Sequence, residues 1–376
     1  MRKYFSYALT TLWHDRQRFL PGVLAVAFSA LLIAVQWGML LGMFTFASLT
    51  VDRAPAQIWL GGPDIQTADL SGLISERILA RLVRQPEVAQ TESYLQQRSH
   101  WVRPDGSWEL CLVIGSRLDE KALGAVSELT PELRRRLAEQ GSVVVDELDL
   151  ERLGIQGVGS VAEIHGHRVK VVGLIRGFKS PAGAHVFCSV ETAQEVLRLP
   201  PDQISFVLGR CRNPWEASAV VQRLRHLYPR LSVFTAEELS LRSRLYWLTK
   251  TRGGLALGYA ALLGLLVGAV VTGQTLYGAV AAQLREYAVL WALGIPVRRM
   301  AALVMAQAVW VGLTGVGLSL PAIFLVAEGA ILLNVLVLLP LWLLAATVAV
   351  TLAMAVVAGL ASLRSLRRIE PAILLR

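Results

Sequence analysis

The chain has 376 residues, of which 54% are hydrophobic and only 17% charged, and it carries a formal net charge of +9. A mean hydropathy of +0.50 excludes an ordinary water-soluble protein of this length. The positive balance does not point to nucleic acid, because the basic residues gather beside apolar segments rather than on one face of a soluble domain.

Residues 1–19 begin with Arg2 and Lys3 and set Tyr4, Phe5, Ala8, Leu9, Leu12 and Trp13 at helical spacing. This is the pattern of a basic amphipathic helix lying in a membrane interface. Residues 20–46 are apolar and long enough to cross a hydrocarbon core of ~30 Å, which takes about 20 helical residues. The run is well beyond the roughly 7–15 apolar residues of a signal peptide, so it reads as an uncleaved anchor. Residues 47–250 have soluble character. Three further spans are expected at 253–282, 300–327 and 338–363, with a charged loop at 283–299 and a tail at 364–376. Glu328 fits a short outer turn between the last two.

Basic residues mark the cytoplasmic ends of spans. Arg16 and Arg18 precede the first span, Arg285, Arg298 and Arg299 lie between the second and third, and Arg364, Arg367, Arg368 and Arg376 follow the last. All of these fall on one side only if both termini and the 283–299 loop are cytoplasmic, which puts the 47–250 domain outside. The predicted architecture is an α-helical membrane protein with four transmembrane helices and an α+β extracytoplasmic domain between helices 1 and 2.

Within that domain, 58–60 and 204–208 read as strands, 75–83 and 214–227 as helices, 92–102 and 108–114 as extended runs, and 231–234 as a last strand. The first and last portions are expected to pack as one α+β unit. A β-rich insert lies between them, with strands at 142–145, 160–164, 168–174 and 185–187. Cys111, Cys188 and Cys211 all fall in this domain; they read as small buried hydrophobes, although one disulfide would be possible. His165 and His167 flank a hairpin glycine with no third metal ligand in view. Asp146, Glu147 and Asp149 read as the acidic start of a helix.

The chain contains no Gly-x-x-x-x-Gly-Lys-[Ser/Thr] phosphate loop, no His-Glu-x-x-His, no Cys-x-x-Cys and no Gly-x-Ser-x-Gly. It has no catalytic constellation of its own and binds no cofactor on these grounds. The spans carry almost no charge, which disfavours a hydrated ion path. Gly38 and Gly42 in the first span, and Gly264 and Gly268 in the second, stand four residues apart, the spacing that allows close helix packing in lipid.

The densest motif is the 283–299 loop. Leu284, Ala288, Trp291 and Ala292 share helical spacing, Arg285 and Glu286 open the element, and Gly294 with Pro296 ends it. Arg285-Glu286 followed by Ala292-Leu293-Gly294 resembles the signature of the MacB/FtsX/LolCE permeases, the mechanotransmission class of ABC transporters. Ile369-Glu-Pro-Ala-Ile-Leu-Leu-Arg376 is similar to that family's terminal motif, and Val143–Asp146, Leu153-Gly154 and Val169–Gly173 are similar to its periplasmic core. The segments at Gln36–Gly38 and Ala56–Trp59 further resemble the DevC subgroup. Trp291 and Ile295-Pro296 depart from the usual pattern.

The resemblance implies a bacterial inner-membrane permease subunit, not an enzyme, working as a homodimer. Arg285, Glu286, Tyr287, Trp291 and Gly294 would form the ATPase-coupling helix. ATP and Mg would be bound by a separate ATPase subunit. A periplasmic adaptor, an outer-membrane channel reached through it and membrane lipid complete the implied partners, with a glycolipid or lipid-like cargo. A lipoprotein-releasing LolCE-type permease and an FtsX-like activator of a cell-wall hydrolase share the architecture. A helix continuous from Leu239 to Leu284, roughly 65–70 Å at ~1.5 Å per residue, would transmit the motion.

Overall fold

The computed structural model describes residues 16–282, 289, 293, 296–332, 335 and 337–366. The chain divides into two compact units, Met43–Thr251 and a second made of Met1–Gly42 with Arg252–Arg376. The predicted amphipathic helix within 1–19, most of the 283–299 loop and the end of the 364–376 tail lie outside the described residues.

The 43–251 unit is built on a nine-stranded sheet: β1 (Ile58–Gly61), β3 (Val88–Val102), β4 (Trp108–Ser116), β5 (Ser142–Asp146), β6 (Val161–Ile164), β7 (His167–Ile175), β8 (Ala184–Ser189), β10 (Phe206–Cys211) and β11 (Ser232–Thr235), in the order β11-β1-β10-β3-β4-β8-β5-β7-β6. A short pair, β2 (Ile74–Ser75) with β9 (Gln203–Ile204), stands apart. The order closes on itself, because β6 also pairs with β3 through Trp101 opposite Ile164. Six strands therefore form a small barrel, and β11, β1 and β10 extend from it as an open sheet.

β3 belongs to both parts. Its first half, Val88 to Tyr94, pairs with β10, and its second half, Leu95 to Val102, pairs with β4. At ~3.3 Å per residue a strand of this length spans about 50 Å, enough to serve two lobes. The expected α+β unit is thus made of β1, β10, β11 and only half of β3. The 108–114 strand belongs to the barrel instead, because its partners are β3 and β8.

The local reasons are plain in the residues. Ser142-Val-Val-Val-Asp146 is buried along its whole length, as a strand covered on both faces must be. The β6–β7 hairpin turns at His165 and Gly166, both at positive φ (49° and 80°), the geometry of a tight two-residue hairpin. The helix at Ala217–Leu227 follows Pro214 and buries Ala217, Val220, Val221 and Leu224, one face at helical spacing. That face covers Ile58, Leu60, Val207 and Val233. Inside the barrel lie Leu95, Trp101, Val113, Val143, Val145, Val171, Val186 and Cys188.

The other unit is helical. Its members are the N-terminal part of Arg16–Asp52 and the helices Arg252–Ala282, Val297–Leu332 and Leu341–Leu366. Among the described residues, four helices are long and apolar enough to cross a membrane. Their outward faces carry Leu262, Leu266, Leu318, Phe324, Leu325 and Val357, all exposed. Helices apolar all round suit lipid and not water. Phe19 and Val26 of the first helix pack with Val311 of the third and with Ala355 and Ala358 of the last.

Two expectations are corrected. Glu328 does not sit in a turn: the helix runs through Glu328 and Gly329 to Leu332, since a single glycine among apolar helix formers lowers helix propensity without ending the helix. The long lever is not continuous either. The helix Ala236–Lys250 ends at Thr251, whose backbone is extended (φ −97°, ψ 144°), and a new helix begins at Arg252. A β-branched residue followed by Gly253-Gly254 is a poor helix interior, so the break falls where propensity is lowest.

Candidate functional site

Arg285, Glu286, Tyr287, Trp291 and Gly294 lie outside the described residues. Of their neighbours, Leu293 is well exposed and donates its N–H to the Val289 carbonyl at 3.0 Å, one α-helical turn away.

The predicted packing glycines part company. A Cβ on Gly264 would fall on the end of the Gln36 side chain, and one on Gly268 would fall 3.1 Å from Ser29 Cβ. Both glycines therefore face the first helix. Ser29 Oγ lies 3.2 Å from the Gly268 carbonyl and 3.2 Å from Thr272 Oγ1, a polar seam inside an apolar bundle. Gly38 instead meets the segment at 337–339, where Leu338 N–H donates to its carbonyl at 3.0 Å, and Gly42 is buried.

Gly315 makes a further close backbone approach that the glycine spacing does not point to. A Cβ on Gly315 would lie 2.6 Å from Val26 Cγ1 and 3.0 Å from the Val23 carbonyl oxygen. The available signal was Gly315 standing four residues before the small residue Ser319. Gly315→Ala should lower the thermal midpoint of the detergent-solubilised full chain, at a cost of about 1–3 kcal/mol for overpacking. Gly264→Ala should cost less, since a Gln36 side-chain end can swing aside. Gly317→Ala, with open space around it, is the neutral control. Equal effects at Gly315 and Gly317 would refute the packing account.

Within the 43–251 unit, the end of the Arg16–Asp52 helix is bound to the Ala236–Lys250 helix. Arg244 Nη2 reaches Asp52 at 2.5 Å, Arg244 Nε donates to Ser48 Oγ at 2.8 Å, and Ser48 Oγ donates to Asp52 at 2.7 Å. Phe46 packs edge-on against Trp247 at 4.9 Å. The Trp247 indole donates to Asp69 at 3.3 Å, and Asp69 in turn holds Arg98 at 2.5 Å. Individual surface ion pairs stabilise weakly, but a network backed by aromatic packing fixes a geometry. The capping box of Thr235 and Glu238 anchors the far end of the Ala236–Lys250 helix. These residues form a polar and aromatic root inside the 43–251 unit, joining the end of the Arg16–Asp52 helix to the Ala236–Lys250 helix.

The acidic trio reads differently in space. Asp146 Oδ1 accepts from Leu148 N–H at 2.8 Å and its Oδ2 from Phe178 N–H at 2.6 Å, the capping role expected. Glu147 pairs with Arg176. Asp149 is wholly buried and neither oxygen has a hydrogen-bond partner. Burial, reinforced by Asp146, pushes its pKa up to about 7. His185 is also buried, edge-on to Phe178 and stacked on Phe187, with Nδ1 unpartnered; burial drives its pKa down to about 4. Sequence spacing gave no sign of either.

Cys111, Cys188 and Cys211 are buried and unbridged, and burial raises all three thiols, Cys111 to about 12. His165 Nε2 lies 3.5 Å from Ser99 Oγ, while His167 lies 3.8 Å from Glu195, so the two rings have different partners. Among the described residues no three His, Cys, Asp or Glu side chains gather as metal ligands.

No curated protein matches the chain. Among solved structures, it is similar to the periplasmic region of MacB from Actinobacillus actinomycetemcomitans, at 9% identity and a TM-score of 0.34, covering 51% of this chain and 94% of that one. It is similar too to the extracellular domain of the noncanonic ABC-type transporter YknZ from Gram-positive bacteria, at 11% identity and a TM-score of 0.32, covering 48% and 98%. A domain of a putative permease from Porphyromonas gingivalis matches at 10% identity and a TM-score of 0.30, covering 50% and 89%. The family model for the FtsX-like permease C-terminal region matches residues 258–371, which take in the last three apolar helices and the loop between the first two of them. Over residues 258–371 the chain is therefore similar to the C-terminal region of FtsX-like permeases.

Proposed function

We propose that this chain is the permease subunit of a bacterial inner-membrane ABC exporter, coupling ATP hydrolysis on a separate subunit to movement of the 43–251 domain on the far side of the membrane. The observation that carries the reading is the FtsX-like match over 258–371, which includes the Arg285-Glu286 loop. The sparse charge of the spans adds support, because it offers little polar path for a hydrated solute. So does the root, where Arg244, Ser48 and Asp52 tie two helices into one mechanical element.

In this mechanism the ATPase moves the 283–299 helix, the Arg252–Ala282 helix carries the motion, and Thr251 acts as the joint between it and the root. The working unit is a homodimer with two ATPase subunits. The 43–251 domain passes a glycolipid or lipid-like cargo to a periplasmic adaptor and an outer-membrane channel, as in the DevC subgroup. Glu286→Lys tests the coupling. With the ATPase that co-purifies with the chain, the variant should lose at least about tenfold of the permease-dependent ATPase stimulation, the scale of a lost charge-assisted contact. Its membrane insertion and thermal midpoint should stay at wild-type values. Undiminished stimulation in a folded variant would sink the coupling assignment.

A further inference from the structure

The helix Ala236–Lys250 presents Leu241, Leu245 and Thr249 at successive helical turns on its exposed side. Beside them Phe234, Gln66, Arg225, Arg242 and Tyr246 complete a groove of about 470 Å³, within the ~300–1,000 Å³ range of small-ligand sites. Two guanidinium groups stand over the Phe234 ring, Arg225 at 5.6 Å and Arg242 at 5.4 Å. They are not equivalent. Arg225 is neutralised by Glu238 at 2.6 Å and donates to the Val233 carbonyl at 2.8 Å. Arg242 reaches only Gln66 Oε1, at 3.4 Å, and among the described residues no carboxylate lies within ion-pair distance of it. The groove thus has an uncompensated cation above a strip of exposed leucine.

Chain connectivity places its lower end. Lys250 lines the groove and is two peptide units, at most about 7.6 Å, from Arg252, where a candidate membrane span begins. Tyr246 and Lys250 at this level are the residue types that settle at a bilayer interface. A ligand here meets a cation at Arg242 beside an apolar strip of Leu241 and Leu245.

We propose that this groove binds an anionic glycerophospholipid drawn from the surrounding membrane, with the phosphate on Arg242 and the glycerol and upper acyl carbons along Leu241 and Leu245. Arg pairs with phosphate through two parallel N–H donors, which suits an unpaired guanidinium at the mouth. Charge selects the class: a zwitterionic lipid would bring its own cation to a site that already holds Arg242, Arg225 and Lys250. Glu238 does not oppose this, since its carboxylate is engaged by Arg225 and by the Thr235 N–H. The site requires only that Arg252–Ala282 cross a membrane, and it holds whether or not the chain couples to an ATPase.

The test uses the purified full chain in neutral detergent, titrated with dihexanoylphosphatidylglycerol and with dihexanoylphosphatidylcholine, with thermal midpoint as the folding control. The anionic lipid should bind roughly tenfold more tightly, the worth of one charge-assisted contact. Arg242→Gln should reduce that preference to about twofold or less, while Arg242→Lys retains most of it. Leu245→Gln should weaken both lipids by a similar factor, as loss of apolar contact predicts. Equal binding of the two lipids, or an Arg242→Gln variant with wild-type preference, would overturn the proposal. So would a lipid-independent dimer that Leu245→Gln dissociates, since the groove would then belong to a second copy of this chain. ATPase stimulation is a separate readout, so failure here and failure of the exporter reading are told apart.

Discussion

Glu92→Ala should remove much of the stability of the 43–251 domain, and the segment at 117–130 should be the first to open. Glu92 sits on β3 with no exposed surface, and its carboxylate accepts from three backbone N–H groups: Arg117 at 3.0 Å, Gly124 at 3.2 Å, and Leu123. Burial raises its pKa despite those donors, which measures how dry the site is. The segment it holds has little regular structure of its own, yet it delivers Ala122, Leu123, Ala125, Val126 and Leu129 to the core that also contains Trp59, Tyr94 and Phe206. A Cβ on Gly124 would fall 2.5 Å from the Tyr94 ring, so the loop is seated as closely as the backbone permits.

Alanine leaves three buried donors without an acceptor. Each unsatisfied group costs about 1–3 kcal/mol, and the total, roughly 3–6 kcal/mol after water enters, is a large part of a typical 5–15 kcal/mol stability. Glu92→Gln keeps one acceptor oxygen and should fall between the two. Hydrogen exchange on the detergent-solubilised full chain reads this directly. Amides at 117–130 should lose protection before the β5 and β8 strands do. Unchanged exchange there in Glu92→Ala would show that the loop is held by its apolar side chains alone.

How much of this was legible in the sequence depended on whether the cause was local. Val143-Val144-Val145 is a buried strand in the sequence and in the fold, because a short β-branched run bounded by turn residues favours a covered strand. The helix after Pro214 and the hairpin at His165-Gly166 follow from residues adjacent in the chain. β3 was read from residue 92, whereas it starts at Val88; its first four residues are only partly covered and show no clean alternation. Barrel closure through Trp101 and Ile164 joins residues 63 positions apart, and no spacing rule reaches that far. The break at Thr251 was overlooked because the apolar pattern on either side suggested one helix. The dryness of three buried polar sites shares this origin. Glu92, Asp149 and His185 are ordinary polar letters in the sequence, and only distant strands make their surroundings dry.

The same burial predicts a pH profile with opposing limbs. Burial raises the pKa of Asp149 to about 7, against an ordinary value of 3.8. The folded state therefore holds the proton more tightly, so stability is greatest below the unfolded pKa and is lost as pH rises through the window from about 4 to 7. Burial lowers the pKa of His185 to about 4, against an ordinary value of 6.5. Here the unfolded state binds the proton more tightly, and stability is lost as pH falls from about 6.5 toward 4. Each group alone would give up to ~1.4 kcal/mol per pH unit, with opposite signs. Between about pH 4.5 and 6 the two nearly cancel, and a flat region is expected in the wild type.

Single substitutions should unmask each limb. Asp149→Asn should stabilise the protein at pH 8, by on the order of 1–3 kcal/mol, less than the full shift implies because an amide there is still short of partners. Its stability should then fall steeply below pH 6.5, with only His185 titrating. His185→Phe keeps an apolar ring between Phe178 and Phe187 and should leave the Asp149 limb, a decline from about pH 4 to 7. Thermal unfolding of the full chain in neutral detergent from pH 4.5 to 8 measures both. The informative quantity is the difference between each variant and the wild type. If the Asp149→Asn difference is the same at pH 5 and pH 8, the proton does not reside on Asp149, and its carboxylate must have found a partner that removes the cost of burial.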